Sequence, residues 1–503
     1  MESNKSVQVT FALMAMATVA IHAIYIPAEL FAAFYDDFFY YAEIAKRIVA
    51  GDGSSFNGLY ATNGYHPLWM VCLLLPFGIA NWLAIDPLIP TRLFLALVCG
   101  WGSYLIAGYI LNSHARSIGL RVGLSAFAIC FYLHISRSGM EVALTVPLFV
   151  LLLQQCKLQN LPDADEVQWF IVGLLGALTI LSRIDSNIMV GFLGLIVLIY
   201  QRPKITHIVM AGFGALPVAL YLASNLYLFD SLFPISGMAK SVEAISGFHI
   251  TTLITLFGGT FSVFAMAASI VTLLALVIHK PHWAALSTKD KAIGWTAFIV
   301  PWLFIIQTGM RSDWPLWFWY VYPFLLGLLL AAPMVLSSIR QNISWRYLRN
   351  TKLPGYSLLI VYCAYIGLPQ VLGPLHRAAY DVADFMDSHP GIYAMGDRAG
   401  TAGYLGDQPI IHLEGLVMDR AYLDRLKQAE QIEPLLAHYQ VDYYVITKAR
   451  ELTNGCHFVR EPANSTGYSI QLLDTICWPV VADFGPGSDG IITKILQNPE
   501  TVR

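Results

Sequence analysis

Long apolar runs recur through most of this chain, and they constrain its fold more than any other feature. An α-helix rises about 1.5 Å per residue, so roughly 20 apolar residues cross the ~30 Å hydrocarbon core of a bilayer. With 56% hydrophobic and 13% charged residues among 503, the chain is too apolar for a soluble globular protein. We therefore predict an all-α polytopic membrane domain over residues 1–375. Its expected spans are approximately 9–34, 88–111, 122–135, 142–153, 169–181, 187–200, 205–228, 250–278, 292–306, 316–336 and 358–375.

The apolar run over residues 68–84 decides the predicted topology. If this run spans the membrane, the basic loops alternate between the two sides. If it is a re-entrant or surface helix, most Lys and Arg residues of the short loops fall on one side. The positive-inside rule favours the second arrangement, with about eleven spans, a cytoplasmic N-terminus and an external C-terminus. No small-residue cleavage site precedes Asp36, so the first run is predicted to be a retained span and not a cleaved signal.

Beyond Leu375 the composition becomes that of a soluble domain, and residues 376–503 are predicted to form an extracytoplasmic α/β domain. Short apolar runs predict strands, and amphipathic segments between them predict helices. Cys456 and Cys477 lie in this domain, where an oxidising compartment would allow a disulfide, and no cysteine spacing indicates a metal site. The strands are expected at 392–395, 409–413 and 441–446, the helices at 421–429 and 432–439, and an anion-binding turn without the GxGxxG order at 396–403.

The first outer loop, residues 35–87, contains the densest set of polar and turn-forming residues among the apolar runs. Asp36 and Asp37 begin a segment with apolar residues at three- and four-residue spacing, which predicts a short amphipathic helix lying along the membrane surface. Glu43 and Arg47 have the spacing of an ion pair on its polar face. Glycines then end the helix, and the turn-rich segment 62–67 precedes the next apolar run.

This loop resembles the corresponding part of the GT-C superfamily of integral-membrane glycosyltransferases. The segments DDFFYYAEIAKRIVAGDGSSFNG (36–58) and TNGYHPLW (62–69) are most similar to the bacterial branch of polyprenyl-phosphate-arabinose-dependent arabinofuranosyltransferases, and less so to aminoarabinose and protein mannosyltransferases. Residues 138–141 and the segment GDRAGTAGYLG (396–406) also resemble that branch. The resemblance implies a GT-C fold, transfer with inversion from a lipid phosphosugar, and Asp36 as the base. It is specific for the superfamily and does not fix the sugar.

The residues themselves suit that chemistry. Sugar transfer from a lipid phosphate needs a base for the acceptor hydroxyl and cations for a phosphate whose charge grows as the sugar leaves. Asp36 and Asp37, at a membrane–water boundary, are the catalytic candidates. One of the two is expected to cap the helix, which Asp does readily, and the alternative to a catalytic role is that the aspartates do nothing more than this.

Polar residues near the outer ends of spans are the remaining candidates, because ionisable groups near a membrane usually face a cavity or a partner. Lys240 and Arg311 are candidates for the donor phosphate; the alternatives are a lipid headgroup for Lys240 and pairing with Asp313 for Arg311. Arg183 and Asp185 are expected mainly to satisfy each other. The other substrate-binding candidates are Glu141, His66, Asn63 and Tyr65. Aromatic residues at 314 and 317–322 favour an interfacial belt over a sugar platform.

The predicted function is inverting transfer of a sugar from a polyprenyl-phosphate donor to a hydroxyl of a glycan, lipid or protein, outside the bacterial cytoplasmic membrane. No metal and no cofactor beyond the lipid-linked sugar is expected. The net charge of −3 argues against a nucleic-acid partner. A transporter or flippase for a lipid-linked sugar, or a membrane-anchored assembly protein of envelope glycans, remains an alternative, although no repeated halves indicate a transporter.

Overall fold

The computed structural model describes residues 2–113, 117–156, 165–240, 262–278, 287–312, 314, 316–342, 351–369, 374–429, 431–462, 472–486 and 492–501. Up to residue 369 the regular structure is helical. The helices are α1 (Glu2–Ala20), α2 (Pro27–Ala32), α3 (Asp36–Ala50), α4 (Pro67–Leu83), α5 (Leu88–Leu111), α6 (Ile118–Ser136), α7 (Val142–Cys156), α8 (Glu166–Ser182), α9 (Asn187–Gln201), α10 (Ile205–Phe229), α11 (Ile235–Ala239), α12 (Ser262–Ile278), α13 (Thr288–Arg311), α14 (Tyr322–Asn342) and α15 (Leu353–Ile366).

Seven described helical segments are long and apolar enough to cross a membrane, and five shorter apolar helices accompany them. Every predicted span overlaps one of these segments, so the multi-pass membrane class is confirmed. The shorter helices include α4, which covers the ambiguous run at 68–84. The number of spans and their orientation stay predictions. The predicted stretch 250–261 lies outside the described residues.

Two predicted spans end earlier than expected. The first apolar helix ends at Ile24 instead of Phe34, because Pro27 begins a new helix and Ile26 before it is extended, with φ −60° and ψ 152°. The last ends at Ile366, where Gly367 follows as the C-cap residue. The corrected end of the first span leaves residues 27–34 outside it, directly before the Asp36–Asp37 pair.

Glycines set the close packing of α8 against α10. A β-carbon added at Gly173 would lie 2.0 Å from the Ala211 carbonyl oxygen, and one at Gly214 would lie 2.1 Å from the Phe170 carbonyl oxygen. Helices in a bilayer gain little from hydrophobic burial against each other, so this close backbone approach supplies dispersion contacts instead.

Helix α3 is more enclosed than the predicted surface helix. The predicted ion pair is present, with Arg47 Nε 2.8 Å from Glu43 Oε1. However, Glu43 on the predicted polar face is only 1% exposed, so this part of the face is covered by the rest of the chain. The helix packs between α4 on one side and the C-terminal domain on the other. It ends at Gly51, whose φ of +93° is the left-handed cap conformation that glycine adopts without strain.

The C-terminal part contains a mixed α/β structure, and the three predicted strands are present. A five-stranded sheet has the order β2 (Ile410–His412), β1 (Tyr393–Met395), β3 (Tyr443–Thr447), β8 (Ile492–Gln497) and β7 (Val480–Pro486). Strands β2, β1 and β3 are parallel to one another, and β8 is antiparallel to both of its neighbours, β3 and β7. Strands β7 and β8 were not predicted. The elements are α16 (Pro374–Ser388), β1 (Tyr393–Met395), α17 (Ala399–Leu405), β2 (Ile410–His412), α18 (Arg420–Gln428), α19 (Glu433–His438), β3 (Tyr443–Thr447), β7 (Val480–Pro486) and β8 (Ile492–Gln497).

A second, three-stranded antiparallel sheet follows β3 and consists of β4 (Arg450–Glu451), β5 (His457–Glu461) and β6 (Leu472–Ile476). Cys456 and Cys477 form a disulfide at its edge, next to the paired ends of β5 and β6. The bridge that the sequence allowed is therefore present in the structure.

The C-terminal domain sits directly on the first outer loop. Thr62 Oγ1 donates to the Met418 carbonyl oxygen at 2.8 Å, and Asn57 Nδ2 donates to the Ile410 carbonyl oxygen at 3.3 Å. At Gly64 a β-carbon would lie 2.0 Å from the Leu416 carbonyl oxygen, so only glycine fits. The two parts of the chain therefore share one interface, and the candidate site lies beside it.

Candidate functional site

A cavity of about 510 Å³ lies between residues at the ends of several apolar helices, the first outer loop and the C-terminal domain. Eight of the ten residues that sequence analysis selected line this one cavity, although they are spread over almost 280 positions of the chain. They are Asp36, Asp37, His66, Glu141, Arg183, Asp185, Lys240 and Arg311. The two that do not line it are Asn63 and Tyr65.

Asp36 is held by the C-terminal domain. The main-chain N–H of Thr401, in the first turn of α17, donates to Asp36 Oδ1 at 2.7 Å. The approach is close because residue 400 is glycine: a β-carbon there would lie 2.4 Å from the Asp36 carbonyl oxygen. Burial raises the pKa of Asp36 to about 7, the Thr401 N–H opposes this rise, and the neighbouring Asp37 adds to it. Asp36 therefore has one fixed oxygen and titrates close to neutral pH.

The expected helix cap is not found. Tyr35 occupies the N-cap position of α3 without a side-chain cap bond, and Asp36 and Asp37 are the first two residues of the helix. The prediction that one carboxylate caps α3 is therefore wrong. The loop at 396–403, which resembled an anion-binding turn, donates a main-chain N–H to Asp36, a carboxylate of this same chain.

Asp37 lies beside Asp36 but has a different environment. Among the described residues, no donor makes a hydrogen bond to its carboxylate. Burial raises its pKa, and Lys240 is the neighbour that most strongly opposes this rise. Asp37 therefore faces the cationic part of the cavity, whereas Asp36 contacts the C-terminal domain.

Arg183 is fully engaged by carboxylates. Its guanidinium pairs with Asp185 through Nε at 2.8 Å and Nη2 at 3.0 Å, and its Nη1 contacts Glu141 Oε1. The Tyr320 and Tyr322 rings lie 4.7 and 4.9 Å from it. The expectation that Arg183 and Asp185 satisfy each other is confirmed, and Glu141 completes the network.

His66 connects this network to the outer loop. The Ile184 N–H donates to His66 Nδ1 at 3.2 Å, which assigns the proton to Nε2 in the neutral ring. Nε2 then lies 3.7 Å from Glu141 Oε1. Burial lowers the pKa of His66. The ring is therefore a neutral donor within reach of the cavity.

Lys240 is a partly buried cation, and it acts on Asp37 more strongly than any other charged neighbour. Its Nζ donates to the Tyr320 hydroxyl at 3.0 Å and lies 5.8 Å from the centre of the Trp314 ring. Burial alone would lower the pKa of Lys240, but Tyr320 and Asp37 raise it, and the net direction is upward. Lys240 therefore stays charged with donor capacity to spare.

Arg311 ends α13 and is exposed at the cavity. The alternative that it pairs with Asp313 falls on a residue outside the described part of the chain. The neighbouring aromatic residues turn inward and do not form the expected belt: Trp319 and Tyr322 are 2% and 1% exposed, and only Trp317 in the segment 316–322 is well exposed.

Asn63 and Tyr65 have supporting positions behind the cavity. Asn63 Oδ1 accepts the Ile235 N–H at 3.0 Å, and Tyr65 shares a 2.8 Å hydrogen bond with Ser54. Asn63 thereby fixes the start of α11, the short helix that Lys240 follows. Direct substrate contact by Asn63 or Tyr65 has no support in this geometry.

Sequence reasoning missed the contribution of the C-terminal domain to the cavity. Asp397 and Glu414 line it, and each comes two residues after a parallel strand, β1 or β2. Ligand sites in open parallel sheets commonly form at the carboxyl ends of adjacent strands. Both strands were predicted, so this rule would have pointed to the two carboxylates.

The structure is similar to a crystal structure of ArnT from Cupriavidus metallidurans bound to undecaprenyl phosphate, with a TM-score of 0.51 and 13% identity over 86% of this chain and 92% of that chain. A weaker likeness is to the oligosaccharyltransferase AglB from Archaeoglobus fulgidus, with a TM-score of 0.47 and 12% identity over 88% of this chain and 69% of that chain. Another is to arabinofuranosyltransferase AftD from Mycobacteria, with a TM-score of 0.45 and 13% identity over 98% of this chain and 40% of that chain. Neither the family models nor the curated proteins give a match to the sequence. At such identities the likeness to ArnT shows the fold alone.

Proposed function

Starting from the fold shared with ArnT, we propose that this chain is an inverting glycosyltransferase that moves a sugar from a polyprenyl-phosphate donor to an acceptor hydroxyl. The observation that carries the proposal is the division of charge within one cavity at the outer ends of the helices. Asp36, a carboxylate with one fixed oxygen, lines the same cavity as the charged Lys240 and the exposed Arg311.

Asp36 is the proposed base. The Thr401 N–H holds Oδ1, so the carboxylate has a defined orientation and Oδ2 can receive a proton. In the proposed step the acceptor hydroxyl gives its proton to Asp36 while its oxygen bonds to the anomeric carbon. The bond from that carbon to the phosphate oxygen breaks, and polyprenyl phosphate leaves from the opposite face with the electron pair. A pKa of about 7 matches a base that works near neutral pH.

Lys240 and Arg311 are the proposed partners of the leaving phosphate. Negative charge on that phosphate grows as the bond breaks, so preorganised cations stabilise the transition state more than the ground state. Asp37 supplies a counter-charge close to Lys240 while the site holds no phosphate. Lys240 is anchored through Tyr320 and remains able to donate to phosphate oxygens.

Arg183 has a positioning role in this proposal. Its guanidinium is shared between Asp185 and Glu141, and Tyr41 and Tyr322 add hydrogen bonds to those carboxylates at 3.2 and 2.9 Å. Such a paired network is costly to break and holds its members in place. We assign it the task of fixing His66, whose Nε2–H would donate to the phosphate or to a sugar hydroxyl.

The proposed sugar, acceptor class and cellular location come from the sequence resemblance. Arabinofuranose is the sugar it favours, a glycan, lipid or protein hydroxyl is the acceptor class, and the outer face of a bacterial cytoplasmic membrane is the location. ArnT with bound undecaprenyl phosphate supports a polyprenyl-phosphate ligand for this fold.

The test is transfer by the purified protein in lipid nanodiscs, with decaprenyl- and undecaprenyl-phosphate sugars and a panel of glycoside acceptors. We expect a product whose anomeric configuration, read by NMR, is inverted relative to the donor. Asp52, an exposed residue of the same loop, supplies a matched control: Asp36→Asn should be inactive and Asp52→Asn active. Transfer with retention, or full activity of Asp36→Asn, would overturn the mechanism.

A further inference from the structure

The part of the cavity formed by the C-terminal domain contains a buried acid that the proposed transfer step does not use. Glu414 lines the cavity and is only 5% exposed. Within the described part of the chain, its Oε1 is buried without a hydrogen-bond partner. A buried polar atom without a partner costs free energy, so a native structure keeps one mainly where a ligand or water completes it.

The chemical form of Glu414 follows from its neighbours. Burial raises its pKa well above the usual range, and Asp397, Glu461, Asp37 and Asp36 raise it further. Burial and these acidic neighbours therefore favour the protonated carboxyl group over the carboxylate. In that form it has one O–H donor and a carbonyl acceptor, the same pair of functions as a sugar hydroxyl.

The hydroxyl group of Tyr40 and the carboxyl group of Glu414 both lie close to one ring nitrogen of His412. The Leu416 N–H donates to His412 Nδ1 at 3.1 Å, which leaves the proton on Nε2. Nε2 lies 3.1 Å from the Tyr40 hydroxyl and 3.7 Å from Glu414 Oε2. Tyr40 lines the same cavity, and when its oxygen accepts from His412 its own proton is free to be donated.

The charges around this region decide which ligand it can take. Asp36, Asp37 and Asp397 all lie close enough to act on Glu414, so an anion would be repelled here. Leu416 and Val417 add apolar surface beside the polar groups, which suits the C–H face of a sugar ring.

We propose that Glu414 and Tyr40 form a hydroxyl-binding subsite through which the C-terminal domain holds the acceptor, a neutral sugar. The proposal rests on the proposed function, because it places the acceptor in the cavity that also contains the base Asp36. It makes Glu414 a specificity-determining residue that admits neutral sugars and rejects uronic acids and sugar phosphates.

The test compares Glu414→Gln, Glu414→Leu and Tyr40→Phe with wild type in the full-length protein. An amide has the same donor and acceptor functions as a neutral carboxyl group, so Glu414→Gln should keep the acceptor KM within about 3-fold. Glu414→Leu and Tyr40→Phe should raise that KM by roughly 10-fold or more, because each removes a hydrogen bond to the ligand. Donor affinity should not change, and Glu500→Leu, at an exposed position of the same domain, should match wild type.

A binding measurement separates this inference from the proposed function. Saturation-transfer NMR with methyl glycosides, without donor, should show contact with wild type and Glu414→Gln but not with Glu414→Leu, and methyl glucuronide should give none. Equal acceptor KM and equal saturation transfer in Glu414→Leu, or a large loss in Glu414→Gln, would overturn the subsite while leaving Asp36 as the base. If wild type binds the glycosides through Glu414 but transfers no sugar, the subsite stands and the glycosyltransferase proposal fails. If Glu414→Leu does not fold, Tyr40→Phe with unchanged acceptor KM and unchanged saturation transfer overturns the subsite.

Discussion

The two walls of the cavity differ in origin and in charge. We call Asp36 and Asp37 of the first outer loop, together with Asp397 and Glu414 of the C-terminal domain, the acidic wall. The basic wall consists of Lys240, Arg311 and Arg183, and Arg183 is paired with Glu141 and Asp185. Two of the four acidic residues come from the C-terminal domain, whereas all three cations come from the part of the chain that precedes it. This difference suggests a division of work. The acidic wall takes the proton and binds the acceptor, and the basic wall binds the phosphate anion.

The largest effect should come from Asp36→Asn. Asn keeps the shape of Asp and still accepts the Thr401 N–H, but it cannot take a proton. Positioned general bases contribute roughly 10²–10⁴-fold, and this one also orients the acceptor, so we expect a loss at or beyond the upper end of that range. Turnover of a defined polyprenyl-phosphate sugar measures it, with thermal stability recorded alongside.

Asp37→Asn distinguishes the roles of the two aspartates in the acidic wall. Because Asp37 faces Lys240 and has no hydrogen-bond donor among the described residues, its loss should be milder than that of Asp36. If Asp37→Asn is the more severe variant, the two carboxylates exchange roles.

Lys240→Ala should weaken donor binding. A charge-assisted hydrogen bond to phosphate contributes roughly 1.5–3 kcal/mol, which corresponds to roughly 10- to 100-fold in affinity. Arg311→Ala should be smaller, since an exposed arginine is better solvated without its ligand. Donor titration in nanodiscs measures both. Unchanged affinity in both variants would remove them from the phosphate site.

Gly400→Ala tests the docking of the C-terminal domain on Asp36. The added methyl group would lie 2.4 Å from the Asp36 carbonyl oxygen, so α17 must shift and the Thr401 hydrogen bond should weaken. We expect transfer to fall roughly 10-fold, the typical effect of losing one hydrogen bond to a charged group. Gly191→Ala, where the new methyl group meets open space, is the matched control. Equal rates in both variants would mean that the docking does not position the base.

The smallest effect is a shift in pH dependence. Asp36 acts as a base only when ionised, so the wild-type rate should be low in acid and rise as the pH passes through about 7. The Thr401 N–H lowers the pKa of Asp36, so Gly400→Ala should move this rise to higher pH. Initial rates between pH 5.5 and 8.5 at saturating donor provide the profile. A flat profile in wild type would contradict the assignment.

Local patterns predicted the parts of the fold that depend on local physics. The apolar runs, the Glu43–Arg47 pair and strands β1, β2 and β3 are all visible as spacing in the sequence. The convergence of Glu414 on Asp36 is not visible, because it depends on the docking of two segments that are almost 380 residues apart.

The prediction of a helix cap by Asp36 or Asp37 was wrong for the same reason, because the contact depends on a distant segment of the chain. Sequence spacing placed the aspartates at the start of their own helix, which is correct, and capping of that helix was the natural alternative. The hydrogen-bond donor to Asp36 comes instead from Thr401, which only tertiary structure brings near. Asn63 and Tyr65 were predicted as ligands from their place in the turn, yet their side chains hold the turn and α11 together.

The division of work between the two walls is tested most directly by measuring donor affinity and single-turnover rate side by side in Asp36→Asn and Lys240→Ala. The account predicts that Asp36→Asn binds donor like wild type but does not transfer, and that Lys240→Ala loses donor affinity while Asp36 still functions at saturating donor. Loss of donor affinity in Asp36→Asn together with normal affinity in Lys240→Ala would contradict it.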